Sequence, residues 1–93
     1  MKRVSGNFTI VINEYITDKG LDCYEFRVLC YLLKLADGES TCYPSYSNIA
    51  RETSMGITKV KKSIKKLMDK KYITLTHRLN KNGGKTSNLY KLS

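Results

Sequence analysis

The 93-residue chain lacks most of what catalysis is built from: it has one histidine, no carboxylate pair on a predictable face, no glycine-rich phosphate loop and no nucleophile motif. An enzyme is therefore not expected. Its cysteines, Cys23, Cys30 and Cys42, are odd in number and form no C-x-x-C pair. That excludes the usual patterns of a disulfide scaffold or a zinc site and points to a reducing cytosol, with each thiol a small buried hydrophobe. No apolar run approaches the ~20 residues that span a bilayer. After Met1-Lys2-Arg3 the apolar stretch is only Ile10-Val11-Ile12, with no small-residue cleavage site, so neither a signal peptide nor a membrane anchor is expected. Metal, cofactor and small-molecule ligand are likewise not expected. Acidic residues are scarce in one half only. Residues 1–50 carry 5 basic and 6 acidic side chains, whereas residues 51–93 carry 12 basic and 2 acidic.

What is present fits a soluble globular chain, 41% hydrophobic and 27% charged, long enough for one domain with a modest core. The net charge of +9 sits almost wholly in the second half, and such polarity points to nucleic acid or another anionic surface. It is densest in 56–71. There Ile57, Val60, Ile64 and Leu67 recur at helical spacing, and Lys59, Lys61, Lys62, Lys65, Lys66, Lys70 and Lys71 occupy most other positions beside a single acid, Asp69. Lys61/Lys65, Lys62/Lys66 and Lys66/Lys70 repel at i,i+4 by a few tenths of a kcal/mol per pair. An anionic partner offsets that repulsion. On a helical wheel Thr58, Lys61, Lys62, Lys65 and Asp69 lie opposite the apolar stripe, with Lys59, Lys66 and Lys70 to one flank.

Along the chain, residues 1–7 read as a flexible arm and 8–93 as one domain. Phe8-Thr9-Ile10-Val11-Ile12 reads as a short strand or an extended segment, and Asn13 to Lys19 as at most a helical turn ended by Gly20. Asp22-Cys23-Tyr24-Glu25 has capping-box spacing and predicts a helix from Cys23 to about Ala36, with Gly38 as its cap. Its main stripe is Phe26, Leu29, Cys30, Leu33 and Ala36. A second stripe, Tyr24, Val28, Tyr31 and Leu35, needs a cover: either the Phe8–Ile12 segment or a second copy of the chain. A very short strand within Glu39–Tyr43 is followed by a helix from Tyr46 to about Glu52, capped by Ser45, and then by the lysine helix, capped by Gly56. Tyr72–Leu79 and Thr86–Leu92 read as strands of a hairpin turned at Asn82-Gly83-Gly84.

Pro44-Ser45-x-x-x-Ile49-Ala50, then Met55-x-x-x-x-Val60-x-x-x-Ile64-x-x-Leu67, then Tyr72-Ile73, resembles the winged helix-turn-helix family of plasmid and phage replication initiators and related mobile-element regulators. Phe8-Thr9-x-Val11-x-Asn13-Glu14 and Phe26-Arg27-Val28-Leu29-x-Tyr31-Leu32-Leu33 resemble that family's leading segment and first helix, so the likeness spans nearly the whole chain. Ser54 stands where a glycine is usual and Thr53 where an apolar residue is usual. The resemblance implies an α+β fold of about three helices and a small antiparallel sheet with a C-terminal β-hairpin wing. It further implies a non-enzymatic protein that binds double-stranded DNA. Such a protein marks a replication origin, promoter or conjugative transfer origin, as an accessory or regulatory factor or as a fragment of a longer initiator. The alternative is a winged-helix protein–protein adaptor in a replication or transfer complex.

Candidate DNA-binding residues are Ser45, Tyr46, Thr58, Lys59, Lys61, Lys62, Lys65 and Lys66 in the motif, and His77, Arg78, Asn80, Lys81, Asn82 and Lys85 in the wing, with Asn88 beside them. Lysine holds phosphates well and selects base edges less well than Arg, Asn or Gln, none of which occurs in 56–71. The expectation is a lysine helix that grips and a wing that reads. A homodimer through Tyr24, Val28, Tyr31 and Leu35, or through the Phe8–Ile12 segment, is also expected.

Overall fold

The capping box forms as its spacing predicts. The Glu25 N–H donates to Asp22 Oδ1 at 2.7 Å, and the Asp22 N–H donates to Glu25 Oε1 at 3.0 Å. The computed structural model describes residues 7–79 and 85–93, with side chains for all of these except 77–79 and 85–87. Within them the order is α1 (Asn13–Ile16), α2 (Cys23–Leu35), β1 (Thr41–Cys42), α3 (Tyr46–Thr53), α4 (Ile57–Asp69), β2 (Ile73–Leu79) and β3 (Lys85–Leu92). The three strands form one antiparallel sheet in the order β1-β3-β2. This is an α+β winged helix-turn-helix, with four helices among the described residues rather than three, because Asn13–Ile16 closes one α-helical turn.

The core is one cluster in which α2, α3, α4 and the sheet meet: Val28, Leu29, Leu32, Ile49, Val60, Ile64, Leu67, Ile73, Tyr90 and Leu92 are all buried. Two stripes expected from periodicity shift. On α2 the buried line is Val28, Leu29 and Leu32, running between the two predicted stripes, because α4 and the sheet cover that sector together. On α4 Ser63 is buried and Ile57 is not, since the helix presents Val60, Ser63, Ile64 and Leu67 inward. In β3 the alternation holds: Asn88, Tyr90 and Leu92 face in.

Three local features have plain causes. Of the two readings of Phe8–Ile12 the extended segment holds, since it pairs with no strand among the described residues. Thr9 and Val11 instead lie beside Arg27, Cys30, Tyr31 and Lys34 of α2, leaving Phe8, Ile10 and Ile12 outward. α2 ends at Leu35, within a residue of the expected end, but its cap is Ala36 rather than Gly38, because Asp37 turns the chain: its carboxylate accepts from the Glu39 N–H at 2.9 Å and the Thr41 N–H at 3.2 Å. Those bonds hold the Asp37 carboxyl below its usual pKa. Third, α3 and α4 both close without glycine. Met55 N–H bonds to Ala50 O and Ser54 N–H to Arg51 O; Tyr72 N–H bonds to Leu67 O and Lys71 N–H to Met68 O. Each is the paired pattern that ends a helix on a left-handed residue, here Ser54 at φ 58° and Lys71 at φ 63°. Non-glycine residues held there cost roughly 1–2 kcal/mol each, offset by the carbonyls they satisfy.

The C-terminal end of α4 is tied to the segment after α1. Asp18 accepts a hydrogen bond from the Tyr72 hydroxyl, an ion pair from Lys70 Nζ at 3.0 Å and a hydrogen bond from the Gly20 N–H at 2.8 Å. The Tyr15 and Tyr72 rings pack at 4.6 Å between centroids. The Tyr72 hydroxyl first, then Lys70 and the Gly20 N–H, lower the Asp18 carboxyl from 3.8 to about 2. The folded value is the lower one, so ionised Asp18 favours the folded chain above pH ~4 and that contribution is lost as pH falls towards 2. Asp18→Asn is expected to melt below the parent at pH 7. The gap between the two melting temperatures should close between about pH 4 and pH 2, a range that thermal melts across a pH series would cover.

Candidate nucleic-acid interface

Two helices and a tight turn set the geometry. Ser45 Oγ accepts from the Asn48 N–H at 3.0 Å and starts α3. Ala50, small and buried, sits in α3 against the crossing with α4, and Thr53 spends its hydroxyl on the Ile49 carbonyl instead of exposing it. This explains how Thr53 substitutes for an apolar residue: its one donor is satisfied and its methyl is buried. Ser54, Met55 and Gly56 then reverse the chain into α4.

With Val60, Ile64 and Leu67 turned inward, Thr58, Lys61, Lys62, Lys65 and Lys66 stand exposed on the opposite face. Among the described residues none of these four lysines has a carboxylate within ion-pair distance, whereas Lys70 is paired with Asp18. Of the three like-charged pairs read from the sequence, Lys66/Lys70 is thus relieved and the other two are not. An α-helix with its side chains is about 10–12 Å across, which matches the ~12 Å width of a major groove, and the 13 residues of α4 give it a length of about 20 Å.

The expected motif residues divide into three sets. Thr58, Lys61, Lys62, Lys65 and Lys66 share the open side of α4. Lys59 is half-buried and its ammonium lies 4.4 Å from the centre of the Tyr24 ring, so it bridges α4 to α2. Ser45 and Tyr46 flank the motif at the start of α3, and Lys61 Nζ lies 5.4 Å from the centre of the Tyr46 ring. Ile57, which the apolar stripe sends to the core, is 43% exposed. Its exposure was not readable from spacing alone.

The wing is the β2–β3 pair, registered His77 opposite Asn88, Arg78 opposite Ser87 and Leu79 opposite Lys85, with an irregularity between Arg78 and Leu79. His77, Arg78 and Lys85 therefore lie at the end of the pair far from β1. Asn80, Lys81 and Asn82, with the Asn-Gly-Gly turn, lie outside the described residues. Asn88 does not belong with them. It is buried, with Nδ2 3.3 Å from the Tyr90 hydroxyl, because its place in β3 alternates inward.

A family model described as a helix-turn-helix domain matches residues 19–73. The chain belongs to this helix-turn-helix domain family. The matched span runs from before α2 to the first residue of β2, so it contains the three-helix unit and the whole of α4. A solved structure described as a possible transcriptional regulator from Methanosarcina mazei Go1 superposes with a TM-score of 0.65 at 18% identity, over 95% of this chain and 76% of that one. At that identity the likeness is one of fold. No curated protein matches the sequence. No helix among the described residues is long and apolar enough to cross a membrane.

Burial also defines the thiols of this helix-turn-helix chain. Cys42 is buried and pushed up to about 11 by desolvation; Cys30 is raised by the same cause; Cys23 is exposed.

The different settings of the lysines have measurable consequences. Lys62→Ala and Lys65→Ala are each expected to lower the slope of log K against log[salt] for duplex DNA by about 0.9, one phosphate's worth, with unchanged melting temperature. Lys59→Ala is expected to lower the melting temperature through the lost Tyr24 contact and to leave that slope nearly unchanged.

Proposed function

We propose that this protein is a non-enzymatic double-stranded DNA-binding factor of a mobile genetic element. It marks a specific site, a replication origin, promoter or conjugative transfer origin, in an accessory or regulatory role. The observation that carries this reading is the exposed lysine face on the second helix of the motif, without carboxylate partners among the described residues and turned outward by the buried Val60, Ile64 and Leu67 opposite it. The helix-turn-helix family supports DNA as the partner, the regulator-like fold is consistent with control of a site, and the motif resemblance favours a mobile element.

In this reading Thr58, Lys61, Lys62 and Lys65 enter the major groove and Lys66 grips its flank. Ser45 and Tyr46 approach the backbone, and His77, Arg78 and Lys85 bring the wing to adjacent DNA with Asn80, Lys81 and Asn82. Binding to short duplexes across a salt series tests it. About five neutralised phosphates give a log K–log[salt] slope near −4 to −5. A scrambled duplex in the same series measures discrimination, which Arg78→Ala is expected to narrow. A flat salt response, or no binding at low salt, favours the adaptor instead.

The protein acts as a homodimer in this proposal. Val28 is fully buried, so the Tyr24–Leu35 stripe is not open along its length, although Tyr24 is 46% and Leu35 37% exposed. The outward segment is more open: Phe8 is 66% exposed, Ile10 76% and Ile12 48%, an apolar edge beyond what an isolated monomer usually shows. It lies in the half of the chain with 5 basic and 6 acidic residues, so two copies meet there without opposing their lysine faces. Ile10→Asp is expected to shift sedimentation from dimer to monomer while the circular dichroism spectrum stays unchanged; a monomeric parent would refute the surface.

A further inference from the structure

Ile57 is unexplained by the fold. It is the first residue of α4 and falls on the apolar stripe of the sequence, yet it stands 43% exposed while Ser63 occupies the seam. Isoleucine is usually buried, and this position gives up a substantial part of that burial. Gly56 beside it is the N-cap of α4, a position that accepts glycine but that Ser, Asp or Asn would fill with a side-chain cap, and none is made here. Its φ of −76° and ψ of 158° suit any residue, and a Cβ there would meet nothing within 4 Å, so neither backbone conformation nor internal packing asks for glycine. The two together leave an exposed apolar side chain at the start of α4, next to a position where a Cβ would meet nothing. Thr58, exposed next to it, adds a second methyl. Lys61 and Lys65, exposed and without carboxylate partners among the described residues, make the surroundings attractive to a polyanion and hostile to a basic protein surface.

Only one feature of duplex DNA matches an apolar group inside a cationic face. The C5-methyl of thymine is the apolar group that the major groove displays, and alkyl side chains distinguish it from cytosine and from the purines by contact alone. α4 has no Arg, Asn or Gln to read bases by paired hydrogen bonds, so methyl contact is the sequence readout open to it besides lysine. The N-terminal residues of the second motif helix are those that reach base edges. We infer that Ile57 is a specificity-determining residue that recognises the C5-methyl of a thymine in the major groove, with the Thr58 methyl alongside and Gly56 keeping the approach clear. This rests on the DNA-binding reading above, and it makes α4 a reader of methyls as well as a grip on phosphates.

Deoxyuridine in place of thymine removes only that methyl. A duplex enriched from a random pool by the full chain is titrated with each thymine replaced in turn. The parent protein is expected to lose about fourfold in affinity at one or two thymines, the value of one buried methyl group. Ile57→Ala should bind the thymine duplex more weakly, show no further loss with deoxyuridine at those positions, and keep the parent's salt slope. Ile57→Val should retain part of the discrimination, and it carries the test if the alanine variant does not fold by circular dichroism. Binding with a normal salt slope but no deoxyuridine effect at any thymine overturns the Ile57 assignment alone. So does an undiminished effect in the folded variants. Absence of duplex binding at low salt overturns the DNA reading with it.

Discussion

Everything in this domain hangs on the seam that Val60, Ile64 and Leu67 make with α2 and α3. Each of these side chains is buried, and burial of one such side chain is worth about 1.5–3 kcal/mol against a net stability of roughly 5–15 kcal/mol for a whole domain. A helix has one rotation about its axis. Turning those three residues inward therefore turns Thr58, Lys61, Lys62 and Lys65 outward, and no separate device is needed to present the charge. Packing and function are two sides of one angle.

Both ends of α4 are then held against movement along and around that axis. At the start, the turn after α3 closes on Ser54 in a left-handed conformation, and Met55 packs against the core. At the end, Lys71 repeats the same closing pattern, and Asp18 clamps Lys70 and Tyr72. Ser54 occupies its conformation at some cost in energy because the carbonyls of Ala50 and Arg51 would otherwise go unsatisfied. Lys59 is held over Tyr24 on the flank nearest α2. The lysines left unclamped form the exposed face, which keeps their side chains available to a partner.

Much of this was legible in the residues. Asp22 and Glu25 predicted the start of α2, Ser45 that of α3, and Gly56 that of α4, because capping chemistry depends on three or four neighbouring residues and nothing else. The alternation of β3 and the polarity of α4 were equally local. What escaped was contextual. Spacing placed Ile57 in the core and left Ser63 out, since a stripe read from apolar residues cannot know which sector of the helix its neighbours cover. It gave α2 two stripes, whereas the structure buries a line between them containing Leu32. It left Phe8–Ile12 undecided between a short strand and an extended segment, because β-branched residues favour extended backbone whether or not an edge is there to pair with.

The chain's own order of residues was enough to decide the helix-turn-helix, the hairpin after it and the sign of the partner, since capping, periodicity and charge are properties of short stretches. Only the assembled fold decided which lysines are engaged and which are open, which apolar side chains remain outside, and that Asn88 belongs to the interior. Those outcomes depend on which surfaces meet. A residue in one element does not carry the identity of its neighbour in another.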